Sequence, residues 1–144
     1  MLVQQILKGK PSQEIATIKS SATVSQAAQL LAEKRIGALV VSDDGTSVAG
    51  MFSERDIVRE LGNRGVGCMS ACIRDYMTTD ISTCAKSDNA DQVLQQMTTG
   101  RFRHLPVMED GKMIGLISIG DVVLARLSEM AMENQALEGM IKGF

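Results

Sequence analysis

Two stretches of this chain carry the same order of parts, and that duplication limits what it can fold into more than any other feature. Val48-Ala49-Gly50-Met51-Phe52-Ser53-Glu54-Arg55-Asp56-Ile57-Val58-Arg59 reads as apolar, Gly, an apolar pair, Ser, two residues, Asp and two apolars. Met113-Ile114-Gly115-Leu116-Ile117-Ser118-Ile119-Gly120-Asp121-Val122-Val123-Leu124 repeats it. Upstream the register holds without a gap at 66 residues: Thr17 falls on Thr83, Ser21 on Ser87, Gln26 on Gln92, Leu39 on Leu105 and Val41 on Val107. After the turns Asp43-Asp44-Gly45 and Glu109-Asp110-Gly111 the offset becomes 65, a one-residue change that a surface hairpin absorbs at little cost. A unit written twice in 144 residues predicts two half-size units and one compact whole.

Local signals fill in each unit. Val3 to Lys8 has apolar residues at helical spacing before Gly9 and Pro11, which predicts a short lead-in helix or turn with a packing role. Ile15 to Ile18 reads as a short strand, Thr23-x-x-Gln26 as a capping box for a helix up to about Arg35, and Gly37 as its stop. Ala38 to Val41 is a strand covered on both faces, and the Asp43-Asp44-Gly45 turn leads to a strand from Val48 to Phe52 and a helix from Glu54 to about Leu61. In the second copy Asn89-x-x-Gln92 reproduces the cap. These signals divide the chain into a lead-in (1–14), a first repeat (15–64), a connector with room for one helical turn (65–75), a second repeat (76–128) and a helical extension (129–144).

Composition excludes several functions. Fifteen basic and 17 acidic residues are spread without a Lys/Arg stripe, and tryptophan is absent, so neither phosphate-backbone binding nor base stacking is supported. No apolar run reaches the roughly 20 residues of a membrane span, and Met1 to Pro11 lacks a signal-peptide pattern; a cytoplasmic protein is expected. Cys68, Cys72 and Cys84 are odd in number and without Cys-x-x-Cys spacing, which fits reduced thiols. With one histidine, His104, no metal site is expected; a thiol sensor using Cys68 and Cys72 is a minor rival reading.

Ser53-x-x-Asp56 and Ser118-x-x-Asp121 each support two readings. Either is an ordinary helix cap, or the helix N-terminus and Ser hydroxyl hold a phosphate while the Asp accepts from ribose hydroxyls. Gly50 and Gly115 would then let a flat ligand approach the strand, or they are packing glycines. Arg103 and His104 either solvate a strand entry that Pro106 confines to an edge or start, or face an anion; Arg55 has the same two options. Val123, Leu127, Met130, Asn134, Leu137 and Ile141 step 4, 3, 4, 3, 4, as in a heptad seam, which marks either contact between two subunits or a helix packed on its own domain.

The doubled pattern, with Arg103-His104-Leu105-Pro106-Val107 before Gly115 to Asp121 and with Ser53-Glu54-Arg55-Asp56, resembles a tandem pair of cystathionine β-synthase (CBS) domains over residues 15–128. The whole is similar to stand-alone bacterial CBS-pair proteins that end in a long Glu-rich helix. The resemblance implies an α/β (α+β) fold: two βαββα repeats packed as a pseudo-twofold pair, with a long C-terminal helix, often dimerising into a disc. It implies a non-enzymatic sensor of energy state binding AMP, ADP, ATP, NAD or S-adenosylmethionine in clefts between the repeats. Mapped by motif, Asp121 and Asp56 take ribose and Ser118 and Ser53 take phosphate; the first strands contribute Ile81 and Thr83 in one copy and Thr17 in the other. His104 and Arg103 lie by the second cleft. The first copy has Gly37-Ala38 in their place, leaving Arg55 as its cation. The alternative is a structural or interaction dimer without nucleotide, and the regulated partner is not specified.

Overall fold

The protein, described by a computed structural model over residues 1–141, is a mixed α+β chain of two compact units. In order, its elements are α1 (Val3–Lys8), β1 (Thr17–Ile18), α2 (Val24–Lys34), β2 (Ala38–Val41), β3 (Gly50–Ser53) and α3 (Glu54–Arg64). Two short 3-10 turns (Val66–Ser70 and Ile73–Asp75) follow, then α4 (Ala90–Gly100), β4 (His104–Glu109), β5 (Lys112–Ser118) and α5 (Ile119–Ile141). The last three residues of the expected helical extension, 142–144, lie outside the described residues.

The first-repeat unit comprises Glu14–Ser82 with the hairpin tip Asp110–Ile114. Its sheet has the order β1-β2-β3, with β1 parallel to β2 and β2 antiparallel to β3. The Thr23–Gln26 capping box forms as expected. β1 begins at Thr17 rather than Ile15, and α3 runs to Arg64, past the expected end near Leu61. α2 ends at Arg35 as expected; that residue takes a left-handed φ of 54° and donates its N–H to Leu31 O, so the turn is made there and not at Gly37. β3 begins at Gly50 rather than Val48, because Asp44 accepts the N–H groups of Thr46 and Ser47 and holds the loop closed past the expected turn.

The second-repeat unit comprises Met1–Gln13, Thr83–Glu109 and the chain from Gly115 on. Asn89 and Gln92 form its capping box, and Arg101 repeats the left-handed cap of Arg35 with φ 58°. Asp110 and Gly111, with φ of 52° and 76°, make the tight turn between the paired strands β4 and β5. One difference between the units follows from a proline. Val40 N–H donates to Ala16 O and Ser42 N–H to Ile18 O; in the second unit Met108 N–H donates to Cys84 O, but Pro106, at the Val40 position, has no N–H to give. The parallel pairing therefore shrinks to one bridge, Cys84 to Val107, where the first unit has β1. Pro106 thus lies inside β4, an edge strand of the β4-β5 sheet, with its missing N–H on the side of this short bridge, so the edge alternative holds and the strand-start one does not.

The two cores use equivalent positions. Val24, Ala27, Leu31, Leu39, Val41, Phe52 and Ile57 in one correspond to Ala90, Val93, Met97, Leu105, Val107, Ile117 and Val122 in the other. Volume is traded between positions, Val/Ala against Ala/Val at the first two, as close packing requires. Each core is completed by a short segment lying outside the βαββα run. Ile73 fills the first, its N–H donating to Ala22 O; Val3 fills the second, its N–H donating to Asp88 O. The lead-in helix α1 thus packs with the second repeat, and the connector segment 71–78 with the first.

Gly50 and Gly115 are where these segments come closest. A Cβ on Gly50 would lie 2.7 Å from Thr78 O and 2.9 Å from Met77 Sδ; one on Gly115 would lie 2.8 Å from Leu7 Cδ2. Both are packing glycines, and the structure selects that reading over room for a flat ligand. Gly50→Ala should cost about 1–3 kcal/mol because its obstacle includes backbone. Gly115→Ala meets only a flexible side chain and should cost less, with part of the loss recovered by adding Leu7→Ala; urea midpoints of the three variants check this order.

Candidate functional site

Each Ser-x-x-Asp motif sits where a strand ends and a helix begins, and in each the capping box is closed. At the β3–α3 junction Ser53 N–H donates to Asp56 Oδ2 (2.8 Å) and Asp56 N–H to Ser53 Oγ (3.4 Å). At the β5–α5 junction Ser118 N–H donates to Asp121 Oδ2 (2.9 Å) and Asp121 N–H to Ser118 Oγ (3.1 Å). The two helix starts are tied back identically, Glu54 N–H to Gly37 O and Ile119 N–H to Arg103 O. The backbone of residue 103 therefore borders the Ser118–Asp121 turn, as the backbone of Gly37 borders the other.

The environments of the two aspartates differ. Asp56 is 5% exposed, and its second oxygen pairs with Arg59 at 2.9 Å. Arg59 also binds Glu60, which binds Arg64, whose guanidinium lies 5.2 Å from the centre of the Tyr76 ring. Asp56 is thus the buried end of a structural charge network. Asp121 is half-buried, and the cation beside it comes from outside its helix: Lys10 Nζ lies 3.0 Å from Asp121 Oδ2 and donates to Leu116 O at 2.7 Å. Burial pushes the Asp121 carboxyl up. The Ser118 N–H, the bond and charge of Lys10 and the Ser118 hydroxyl outweigh it and hold the group below the ordinary aspartate range.

Of the expected site residues, Ser118, Asp121, Arg103, His104 and Thr83 fall in the second-repeat unit. Ser53, Asp56, Arg55 and Thr17 fall in the first. Ile81 also falls in the first-repeat unit, outside any strand. His104 opens β4 and is half-buried, while Arg103 and Thr83 are exposed and Thr83 O accepts from Gln96 Nε2 at 3.2 Å. Sequence reasoning missed Lys10 and Arg59. Arg59 was open to discovery, since Asp56 and Arg59 lie at i and i+3 on one helix; Lys10 was not, since 111 positions separate it from Asp121. Cys68 is buried and Cys72 half-buried, and burial pushes the Cys84 thiol up to about 12, leaving it protonated and inert.

Two units of one α+β design, each turning from strand to helix through a Ser-x-x-Asp box, define a tandem domain pair. The CBS domain model matches residues 3–63 and 73–128, and the chain belongs to the CBS-domain family. A CBS-domain containing protein from Agrobacterium tumefaciens superposes with a TM-score of 0.83 at 38% identity, covering 88% of this chain and 99% of that one. An uncharacterised 17.7 kDa protein of Acidianus ambivalens is 32% identical over 121 residues, 83% of this chain and 72% of the relative. The chain spans 61% of the mitochondrial CBS domain-containing protein CBSX3 of Arabidopsis thaliana, at 37% identity over 84% of itself.

CBS-pair proteins are generally regulatory or signal-transduction modules. Two fold neighbours were solved with adenosyl ligands. A CBS domain protein of Pyrobaculum aerophilum was complexed with AMP (TM-score 0.77, 24% identity, 92% and 99% coverage). The CBS pair of protein MJ0100 was complexed with 5′-methylthioadenosine and S-adenosyl-L-methionine (TM-score 0.77, 22% identity, 90% and 98% coverage). At those identities they establish the shared fold. Among the described residues no helix is long and apolar enough to cross a membrane.

A carboxyl depressed in the folded chain adds stability above its ordinary value and loses it as pH falls through the folded value. Asp121→Asn should therefore lower the melting temperature near neutral pH, and the gap to the parent should narrow as pH drops below about 4, as read by melts across the acid range.

Proposed function

We propose that the protein is a non-enzymatic, cytoplasmic regulatory module that binds an adenine nucleotide at the β5–α5 turn. Asp121 accepts from the ribose diol, and the Ser118 hydroxyl and the first N–H groups of α5 meet phosphate. Arg103 and His104 line the approach, with Thr83 beside them. The observation that carries this reading is the contrast between the two boxes: the Asp121 side chain is 22% exposed and held as an anion, while Asp56 is enclosed by Ser53 and Arg59. An ionised carboxylate within reach of solvent is what a ribose diol needs. The fold neighbours solved with AMP, methylthioadenosine and S-adenosylmethionine support an adenosyl ligand, and AMP, ADP and ATP are the readings preferred over NAD or S-adenosylmethionine. On this reading Ser53, Asp56, Arg55 and Thr17 form a weaker or empty counterpart, and energy sensing follows from competition among the three nucleotides.

The module acts as a homodimer through α5. Val123, Leu127, Met130, Leu137 and Ile141 are 41–85% exposed, so this seam is not used within the chain as described. That exposure also favours the second reading, an interaction dimer without nucleotide; calorimetry separates the two, and sedimentation tests the seam that both share. In calorimetry with AMP and ATP, Asp121→Ala should weaken binding about tenfold or more and Asp56→Ala less than about twofold; equal affinity for Asp121→Ala and the parent removes the ribose role. In sedimentation the parent should be a dimer at micromolar concentration and Leu127→Asp a monomer.

A further inference from the structure

Lys10 contacts the very carboxylate oxygen that the proposed ligand would use. Its ammonium has three donors, of which one meets Asp121 Oδ2 and one Leu116 O. Oδ2 also accepts the Ser118 N–H, so a diol that engages both carboxylate oxygens has to take the place of Lys10. The lysine is anchored nearby: it lies two residues beyond α1, whose Val3 and Ile6 are buried in the same core, and its side chain is 24% exposed. The other unit has no such arrangement. Val3 corresponds to Ile73 and Leu7 to Met77, which places Asp80 at the position of Lys10, and Asp56 takes its cation from Arg59 instead.

We propose that Lys10 is the specificity residue of this site: it leaves Asp121 when a ribose diol arrives and turns onto the ligand's phosphate, so that the site selects phosphorylated adenosyl ligands over uncharged or cationic ones. The inference rests on the nucleotide-binding reading above and deepens it. A ligand without phosphate displaces an ammonium from its carboxylate and leaves it without an anion. A nucleoside monophosphate supplies a new anion within the span of one side chain, and the charge-assisted bond lost at Asp121 is regained at phosphate. A sulfonium ligand adds a second positive charge to the one released.

The test compares AMP with adenosine on the parent, Lys10→Met and Lys10→Arg by calorimetry. The parent should prefer AMP. In Lys10→Met adenosine should bind about two- to fivefold tighter and AMP about five- to tenfold weaker, so the two affinities move in opposite directions; Lys10→Arg should keep most of the parent's preference. If Lys10 only fastens the segment after α1 to β5, Lys10→Met would lower the melting temperature and shift both ligands in parallel, and parallel shifts overturn the proposal. Asp121→Asn keeps the two readings apart. AMP affinity that depends on Asp121 but not on Lys10 sinks the role of Lys10 alone, whereas no binding of either ligand to the parent sinks both.

Discussion

Everything in this structure depends on a short apolar segment closing each βαββα run. A run of this size packs its two helices and a two- or three-stranded sheet into one small core and leaves one end of that core open. Ile73 and Val3, each fully buried, fill that end, and burying such a side chain is worth about 1.5–3 kcal/mol. The closing segments are not those adjacent in the repeat pattern. Residues 1–13 belong with the second repeat, and the connector belongs with the first. The glycines follow from this arrangement: Gly50 and Gly115 lack side chains because the closing segments pass over them within van der Waals distance. The family model matches 3–63 and 73–128, so each matched stretch begins with the segment that completes the other's core.

The same dependence explains what could be read from the sequence. Capping boxes at Thr23, Ser53, Asn89 and Ser118 are local, decided by residues three apart, and all four form. The core positions follow from the register of the repeat and from apolar periodicity, so they too were legible. The packing of α1 was not, because nothing within Val3 to Lys8 says which of two similar cores it enters. The end of α2 near Arg35 was legible as well, but the left-handed turn that makes it falls on Arg35, a residue whose type does not advertise it, and not on Gly37. Pro106 was correctly seen as incompatible with a fully paired central strand. The resolution was to lose part of the neighbouring pairing and keep the proline inside β4.

The candidate site divides along the same line. Ser118 and Asp121 could be named from their motif, and their geometry as a box followed. The charge around them could not, because it depends on which segment comes to lie beside the turn. Duplication placed the same motif in two units, and the closing segments then differ in sign at one position, Lys10 in one and Asp80 in the other. An acid at position 80 offers Asp56 no counter-charge, and the helix supplies Arg59 at i+3. In the second repeat the residue at that place is Leu124, which is 68% exposed, so Asp121 has no cation from its own helix turn.

A carboxylate that draws its partner from its own helix is a fixed part of that helix, since both groups move together and the pair is formed whenever the helix is. A carboxylate paired with a side chain from a separate segment can exchange that partner without unfolding anything, at the cost of a partly exposed ion pair, which is small. The two repeats therefore diverged through their counter-ions while their motifs stayed the same. One box became a buried joint tied into Glu60, Arg64 and Tyr76. The other holds an ionised acid whose partner, Lys10, comes from a separate segment.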